Sequence, residues 1–155
     1  SNVDSDSDIQ SLVELLNSLS ERRKLIFPVH PRTMKKLQGN ELVDKMNPNI
    51  IATNPIGYID FLCLMKNAEL VITDSGGIQE ETTYLGVQCL TVRENTERPA
   101  TVNIGTNQLV GIDISTIKNA ANEVLDGKIK KGGVPKLWDG KTAERIVSIL
   151  MEKLD

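Results

Sequence analysis

The sequence contains few of the residues that build metal centres and disulfide frameworks. Its 155 residues include two cysteines and one histidine, His30. A structural zinc site draws its four ligands from Cys and His, so none is expected. Cys63 and Cys89 both lie in apolar segments, which predicts two buried thiols in a reducing compartment and no disulfide. We therefore expect a cytoplasmic protein without a bound metal.

Positive charge and long apolar runs are also scarce. The 18 basic and 21 acidic residues give a net charge of -3, which argues against a nucleic-acid partner. The short basic cluster at 128–131 is interpreted as a solvated loop. No apolar run approaches the roughly 18 residues that a membrane-spanning helix needs, so no membrane partner is expected. A hydrophobic content of 39% is typical of one globular domain of this length.

Apolar spacing along the chain predicts strands that alternate with helices. Helices are predicted where apolar residues recur at every third or fourth position, and strands where short β-branched runs occur. The alternation predicts an α/β fold, a parallel sheet with helices on both faces. The predicted helices are 9–19, 33–37, 58–67, 77–85, 114–125 and 142–154, and the predicted strands are 25–29, 50–52, 70–73, 89–92 and 107–110.

Ligands of parallel α/β sheets bind at the carboxyl ends of the strands. Four polar segments follow predicted strands and should therefore gather at one edge of the sheet: 30–32, 54–58, 74–77 and 93–99. The third of them is the most informative, since Ser75-Gly76-Gly77 turns a buried strand directly into a helix. The first N–H groups of a helix are unpaired and partly positive, and glycine lets a ligand approach them, so a phosphate site is predicted.

The same residues also have a purely structural interpretation. Asp74 or Ser75 could serve only as a helix cap, as Ser and Asp do in many proteins. Glu80 and Glu81 near the start of a helix also complement its dipole without binding anything. The motif alone leaves both interpretations open.

Six motifs, taken together and in order, resemble the C-terminal half of UDP-N-acetylglucosamine 2-epimerases of the non-hydrolysing type. The resemblance covers nearly the whole chain. The motifs are FPVHPR at 27–32, GYIDF at 57–61, TDSGGIQEE at 73–81, LG at 85–86, TERP at 96–99 and WDGK at 138–141.

The resemblance implies one Rossmann-like half of a two-domain, glycosyltransferase-B-type fold, with the domain spanning residues 1–155. Enzymes of this family interconvert UDP-GlcNAc and UDP-ManNAc. They eliminate UDP to leave a 2-acetamidoglucal and add it back with inverted configuration at C2. The resemblance implies no cofactor, a cytoplasmic role in polysaccharide biosynthesis, and a homodimer for the full-length protein.

The family's phosphate and ribose contacts match four positions of this sequence. By resemblance, Ser75 and Gly76 contact the diphosphate and Gly77 shapes the turn. Glu81 matches the glutamate that binds the ribose hydroxyls, since a carboxylate accepts from both. Arg98 matches the arginine whose charge suits the leaving diphosphate and is the catalytic candidate. The alternative for Arg98 is a surface ion pair with Glu97 or Glu94.

Two further matches concern the base and a second site. Tyr58 and Phe61 belong to the segment that takes the uracil, where the Phe61 ring could stack on the base. An aromatic residue at helical spacing is otherwise a core residue. His30 matches a histidine associated in bacterial members with an allosteric second UDP-GlcNAc, and is otherwise a satisfied turn residue.

By resemblance, most of the family's acid/base carboxylates belong to the N-terminal half, which we expect to be absent from this chain. Ser1 is not an initiator Met, which favours a fragment or a processed chain. We therefore expect the chain alone to bind UDP weakly and to turn over nothing. The alternatives are a UDP-sugar glycosyltransferase of the same fold, against which the TERP and WDGK motifs argue, and a nucleotide-sugar-binding domain without catalysis.

Overall fold

The computed structural model describes residues 5–154. The expected domain bounds of 1–155 therefore include five terminal residues that lie outside the described part. The helices are α1 Asp6–Ser20, α2 Pro31–Gly39, α3 Tyr58–Lys66, α4 Gly76–Leu85, α5 Pro99–Asn103, α6 Ile114–Leu125 and α7 Thr142–Leu154, with a 3-10 turn at Val43–Lys45. The strands are β1 Leu25–Pro28, β2 Ile50–Thr53, β3 Leu70–Thr73, β4 Gln88–Thr91 and β5 Asn107–Leu109.

Local capping explains where several helices begin and end. The Ser5 hydroxyl accepts a hydrogen bond from the Asp8 N–H, while the Asp8 carboxylate accepts from the Ser5 N–H, a reciprocal cap that starts α1. Helix α4 ends at Gly86, whose φ of 71° only glycine adopts without strain. Before α7, the Asp139 carboxylate accepts from the Lys141 N–H and pairs with Arg145 of the helix.

All strand pairs are parallel, but the strands of residues 5–154 form two hydrogen-bonded sheets. Strand β1 pairs with β2, and β4 lies between β3 and β5. The predicted α/β class and parallel pairing are confirmed, whereas the single continuous sheet is not. Strand periodicity reports which residues are extended, not which strand lies beside which.

The three-stranded sheet has two different faces. Leu90 points to one face and packs with side chains of α1 and α6. Its neighbours Cys89 and Thr91 point to the other face, because side chains alternate along a strand. There they meet α4, with the Cys89 thiol against the Thr82 hydroxyl. The apolar core cluster comprises Leu15, Leu19, Leu90, Ile117 and Ala121.

A second apolar cluster covers the two-stranded sheet. Ile9 and Val13 of α1 pack there with Val29, Leu37 and Leu42, all at most 5% exposed. Both sheets are therefore anchored on α1, which contributes residues to each of the two cores. Because α1 also packs against α6, it connects the two-stranded sheet with the helix that covers the three-stranded sheet.

Three features differ from the predictions. Helix α5 follows the TERP segment directly and was not predicted, because its five residues are too few to show a helical period. The 3-10 turn was not predicted either. Cys63 is exposed, so its predicted burial is wrong; α3 buries only Met65, and Cys63 lies on the solvent side. The prediction for Cys89 is correct, and burial raises the pKa of its thiol.

Helix α7 is the least buried of the seven α-helices among the described residues. It has no buried residue, and its apolar side chains, including Ile146, Leu150 and Leu154, are more than half exposed. Within residues 5–154, no helix is both long and apolar enough to cross a bilayer.

Candidate functional site

Helix α4 begins with a hydroxyl that is not used for capping. Ser75 is the N-cap residue, yet its side chain makes no capping hydrogen bond. Its N–H donates to the Thr73 hydroxyl at 3.1 Å, which orients the turn after β3. The purely structural interpretation of Ser75 as a side-chain cap is therefore wrong. Ser75 is exposed and directly precedes the first helical turn, whose N–H groups have no partner within the helix.

The two glycines of α4 are not required by packing within the chain. A Cβ on Gly77 would meet nothing within 4 Å, and one on Gly76 would meet only the Arg98 Cγ, at 4.0 Å. Neither glycine has a positive φ. Glycine in ordinary helical geometry is unfavourable relative to alanine, so the chain itself gives no reason for two in succession. A ligand that approaches the backbone gives such a reason.

Arg98 lies above this turn and pairs with α4. Its Nε is 3.1 Å from Glu80 Oε1, and both side chains are more than two-fifths exposed. The expected alternative partner Glu97 instead forms two hydrogen bonds with Arg93, at 2.8 and 3.0 Å. Exposed ion pairs contribute little to stability, so Arg98 can exchange Glu80 for an anionic ligand at small cost.

An open groove of about 410 Å³ runs along residues 80–85 of α4, and its lining starts at Glu80, the partner of Arg98. Glu81 lies in it together with Tyr58 of α3, which is 61% exposed. The charge of the Glu81 carboxylate, followed by its hydrogen bond with the Tyr58 hydroxyl, raises the pKa of Tyr58. Neither Glu80 nor Glu81 lies in the first turn of α4, so dipole complementarity does not explain them. The groove is lined by Tyr58, Leu62, Glu80, Glu81, Tyr84, Leu85 and Trp138.

Two predicted residues are placed differently. Phe61 is half-buried on α3 and does not belong to the groove lining, where Tyr58 stands one helical turn earlier. His30 follows β1, in the other sheet, and its Nδ1 accepts a hydrogen bond from the Arg32 N–H at 3.3 Å as the N-cap of α2. That capping contact accounts for His30 locally. Roles in base stacking and in a second site stay predictions.

Several buried polar side chains behind Arg98 were missed by the sequence interpretation. Gln79, Thr101 and Asn107 are all 0% exposed and hydrogen-bond to one another or to the Arg98 segment. A glutamine two residues after a glycine pair and an asparagine opening a strand were the available signals. Both polar types are rarely buried unless bonded.

The arrangement suits a nucleoside diphosphate. The helix N–H groups and the Ser75 hydroxyl belong to the start of α4, and the Arg98 side chain passes beside Gly76; each of these groups favours negative charge. The neighbouring groove offers a carboxylate for hydroxyl groups and aromatic rings for a base. The charge of Arg98 would also stabilise a diphosphate that departs as a leaving group. Among residues 5–154, no group of three or more His, Cys, Asp or Glu side chains is placed to hold a metal ion.

Comparisons with known proteins give the same picture. The family model described as UDP-N-acetylglucosamine 2-epimerase matches residues 1–151. The Methanococcus maripaludis protein of that name is 42% identical over 153 residues, which are 96% of this chain and 41% of the relative. The structure of the Methanocaldococcus jannaschii UDP-GlcNAc 2-epimerase in complex with UDP-GlcNAc and UDP has a TM-score of 0.80 at 43% identity, over 97% of this chain and 42% of that one.

A relative with a different sugar in its name also matches. The UDP-2,3-diacetamido-2,3-dideoxy-D-glucuronate 2-epimerase of Pseudomonas aeruginosa is 32% identical over 154 residues, which are 99% of this chain and 42% of the relative. This chain thus spans about two-fifths of the length of each of these proteins. The family match sets aside the glycosyltransferase alternative. The chain belongs to the UDP-N-acetylglucosamine 2-epimerase family.

Proposed function

We propose that this chain is the UDP-binding domain of a UDP-GlcNAc 2-epimerase. The observation that carries the proposal is the start of α4, where an uncommitted Ser75 hydroxyl and two glycines without a packing role lie under Arg98. No contact among residues 5–154 explains these three features together, whereas a bound diphosphate does. The complete protein would convert UDP-GlcNAc to UDP-ManNAc by eliminating UDP and adding it back with inversion at C2.

Different residues of the site would bind the diphosphate, the ribose and the base. Ser75, Gly76 and Gly77 would hold the diphosphate, and Arg98 would leave Glu80 to neutralise it as negative charge develops. Glu81 would bind the ribose hydroxyls, held in orientation by the Tyr58 hydroxyl. The base would lie along the aromatic groove. The sugar is proposed to be N-acetylglucosamine because the M. maripaludis relative, at 42% identity, carries that name.

The location and assembly of the complete protein are proposals of the same kind. One thiol is exposed and the other buried, which suits a reducing cytoplasm. The homodimer rests on the family resemblance. Analytical ultracentrifugation of the complete protein tests it, and a monomer at micromolar concentration would contradict it.

Calorimetry of the chain with UDP, uridine and AMP tests the site. UDP should bind and AMP should not. Ser75→Ala should lower the affinity for UDP by roughly tenfold to a hundredfold, because a charge-assisted hydrogen bond is lost, and leave the affinity for uridine unchanged. Glu81→Ala should lower the affinity for both ligands. Ser148→Ala, which removes a hydroxyl bonded only to the Glu144 carbonyl on exposed α7, is the matched control.

Two outcomes would contradict the proposal. UDP affinity that is unchanged in both Ser75→Ala and Glu81→Ala would refute the site. Conversion of UDP-GlcNAc by this chain alone would refute the need for residues from another part of the protein. A complete protein that binds UDP yet forms no UDP-ManNAc would instead favour a nucleotide-sugar-binding domain without catalysis.

A further inference from the structure

The backbone of Arg98 is held at both of its polar groups. Its N–H donates to the Thr96 hydroxyl at 3.0 Å, and its carbonyl accepts from the Thr101 hydroxyl at 2.7 Å. Neither contact is needed to pair these groups, because the N–H lies in an exposed segment that water can reach and the carbonyl also accepts from the Thr101 N–H at 3.0 Å, the first bond of α5. The two contacts instead fix the peptide plane on each side of the Arg98 Cα.

Both contacts lead to the same buried amides. The Thr96 hydroxyl donates to Gln79 Oε1 at 2.6 Å, and the Thr101 hydroxyl accepts from Asn107 Nδ2 at 2.9 Å. Asn107 Nδ2 lies 3.3 Å from Gln79 Oε1, which closes the ring of hydrogen bonds. Four side chains and the Arg98 backbone thus form one closed circuit.

The direction of each hydrogen bond follows from the Arg98 carbonyl. Thr101 has one hydroxyl proton and gives it to that carbonyl, so its oxygen must accept from an N–H of Asn107. Asn107 therefore turns its Oδ1 to the Thr91 hydroxyl, at 2.6 Å, and Gln79 must present oxygen, not nitrogen, to the circuit. One arrangement of the amides satisfies the circuit, and it orients the Arg98 segment.

The circuit is costly for the core in which it lies. Gln79 and Asn107 are 0% exposed, and buried amides are tolerated only when bonded. Gln79 Nε2 finds no hydrogen-bond partner among the described residues. Aliphatic side chains at all the buried positions of the circuit would fill this space without that cost, because replacing both partners of a hydrogen bond leaves no group unpaired. A role other than stability therefore accounts for the circuit.

Gln79 also connects the two parts of the phosphate site. It belongs to α4, four residues after Ser75, and contacts the segment that carries Arg98. We propose that Gln79, Thr96, Thr101 and Asn107 are positioning residues that set the Arg98 guanidinium over the start of α4, at the spacing that the diphosphate of a nucleoside diphosphate requires. This inference rests on the proposed function, because it presupposes that UDP contacts Arg98.

A double-mutant cycle on the chain tests this role. Thr96→Val keeps the shape of the half-buried side chain and removes the hydroxyl that joins Gln79 to Arg98. It should lower the affinity for UDP, measured by calorimetry, by roughly three- to tenfold and leave the affinity for uridine unchanged. Thr96→Ser should restore UDP affinity. In an Arg98→Ala background, Thr96→Val should change UDP affinity by less than about twofold.

A merely structural role predicts a different pattern. In that case Thr96→Val would weaken uridine as well, and its effect would persist without the Arg98 side chain. Either result overturns the inference. Thr116→Val, which removes a threonine hydroxyl bonded to Asp113 at the start of α6, is the matched control and should bind UDP like the parent chain.

Failure of this inference can be separated from failure of the proposed function. If Arg98→Ala weakens UDP but Thr96→Val does not, the circuit is overturned and the UDP site stands. If Arg98→Ala leaves UDP affinity unchanged while Ser75→Ala and Glu81→Ala lower it, the inference is overturned and the UDP site stands without Arg98. Only unchanged affinity in all three variants overturns both. If Thr96→Val does not fold, Thr96→Ala takes its place. This variant removes both the hydroxyl and the γ-methyl group, and the same pattern of UDP and uridine affinities decides the outcome.

Discussion

The two faces of the three-stranded sheet differ in what holds them to the neighbouring helices: apolar packing on one and buried hydrogen bonds on the other. On one face Leu90 packs among aliphatic side chains of α1 and α6. On the other, Thr91 and Asn107 hydrogen-bond with each other and face Gln79 of α4. Apolar packing is nondirectional, whereas hydrogen bonds fix distance and angle. The comparison indicates that the first face supplies stability and the second holds the edge where the nucleotide would bind.

The polar face is also closed by close backbone approaches. A Cβ on Gly105 would lie 2.4 Å from the Thr83 hydroxyl, and one on Gly132 would lie 2.4 Å from the Gly105 carbonyl carbon. The segment before Gly132 is tied down by Lys130, whose ammonium donates to the Asn107 carbonyl at 2.6 Å. Partial burial lowers the pKa of Lys130. This face therefore has no room for extra atoms.

The largest effect is expected on the apolar face. Leu90→Ala should lower the free energy of unfolding by about 2–5 kcal/mol, because it leaves a cavity among side chains that cannot collapse into it. Under conditions where the variant is folded, its UDP affinity should match that of the parent chain. Urea denaturation and calorimetry measure the two quantities. A UDP affinity that falls together with the free energy of unfolding would show that the two faces do not have separate roles.

A smaller effect is expected where the backbone closes the polar face. Gly132→Ala should destabilise the chain by about 1–3 kcal/mol, because the new methyl group meets backbone that must move. Gly133→Ala is the matched control, since a Cβ there meets nothing within 4 Å. Thermal denaturation compares the two. Equal melting temperatures would show that this edge is not closely packed.

The smallest effect on stability has the opposite sign. Gly77→Ala should stabilise the free chain by about 0.4–1 kcal/mol, because the helical backbone accepts alanine and the unfolded chain loses freedom. It should also weaken UDP, since the methyl group occupies the space that the diphosphate needs, and leave uridine unaffected. Denaturation and calorimetry together check it. Stabilisation with unchanged UDP affinity would show that Gly77 does not serve the phosphate.

The sequence predicts the elements better than their arrangement. The run Leu70–Thr73 followed by two glycines predicts β3 and the start of α4 to within a residue, because strand and helix signals are local. Lateral strand pairing depends on contacts distant in sequence, and the division into two sheets was not predicted. Cys63 was misplaced because α3, with the sequence YIDFLCLMK, is apolar around most of its circumference, so its sequence does not show which side faces the core.

The site was predictable to different degrees for similar reasons. The residues of the Ser75 turn themselves predict a phosphate site, whereas the roles of Arg98 and Glu81 were predicted from the family motifs. The ion pair of Arg98 with Glu80 joins residues 18 positions apart and has no local signature. The circuit through Gln79 and Asn107 is likewise nonlocal, since these residues are 28 positions apart.

A crystal structure of the chain with UDP would show the nucleotide and its contacts together. We expect the diphosphate within hydrogen-bonding distance of the Ser75 hydroxyl and the Gly76 and Gly77 N–H groups, with Arg98 turned from Glu80 to the phosphate oxygens. The ribose should contact Glu81. UDP bound elsewhere, or bound here with Arg98 still paired to Glu80, would contradict it.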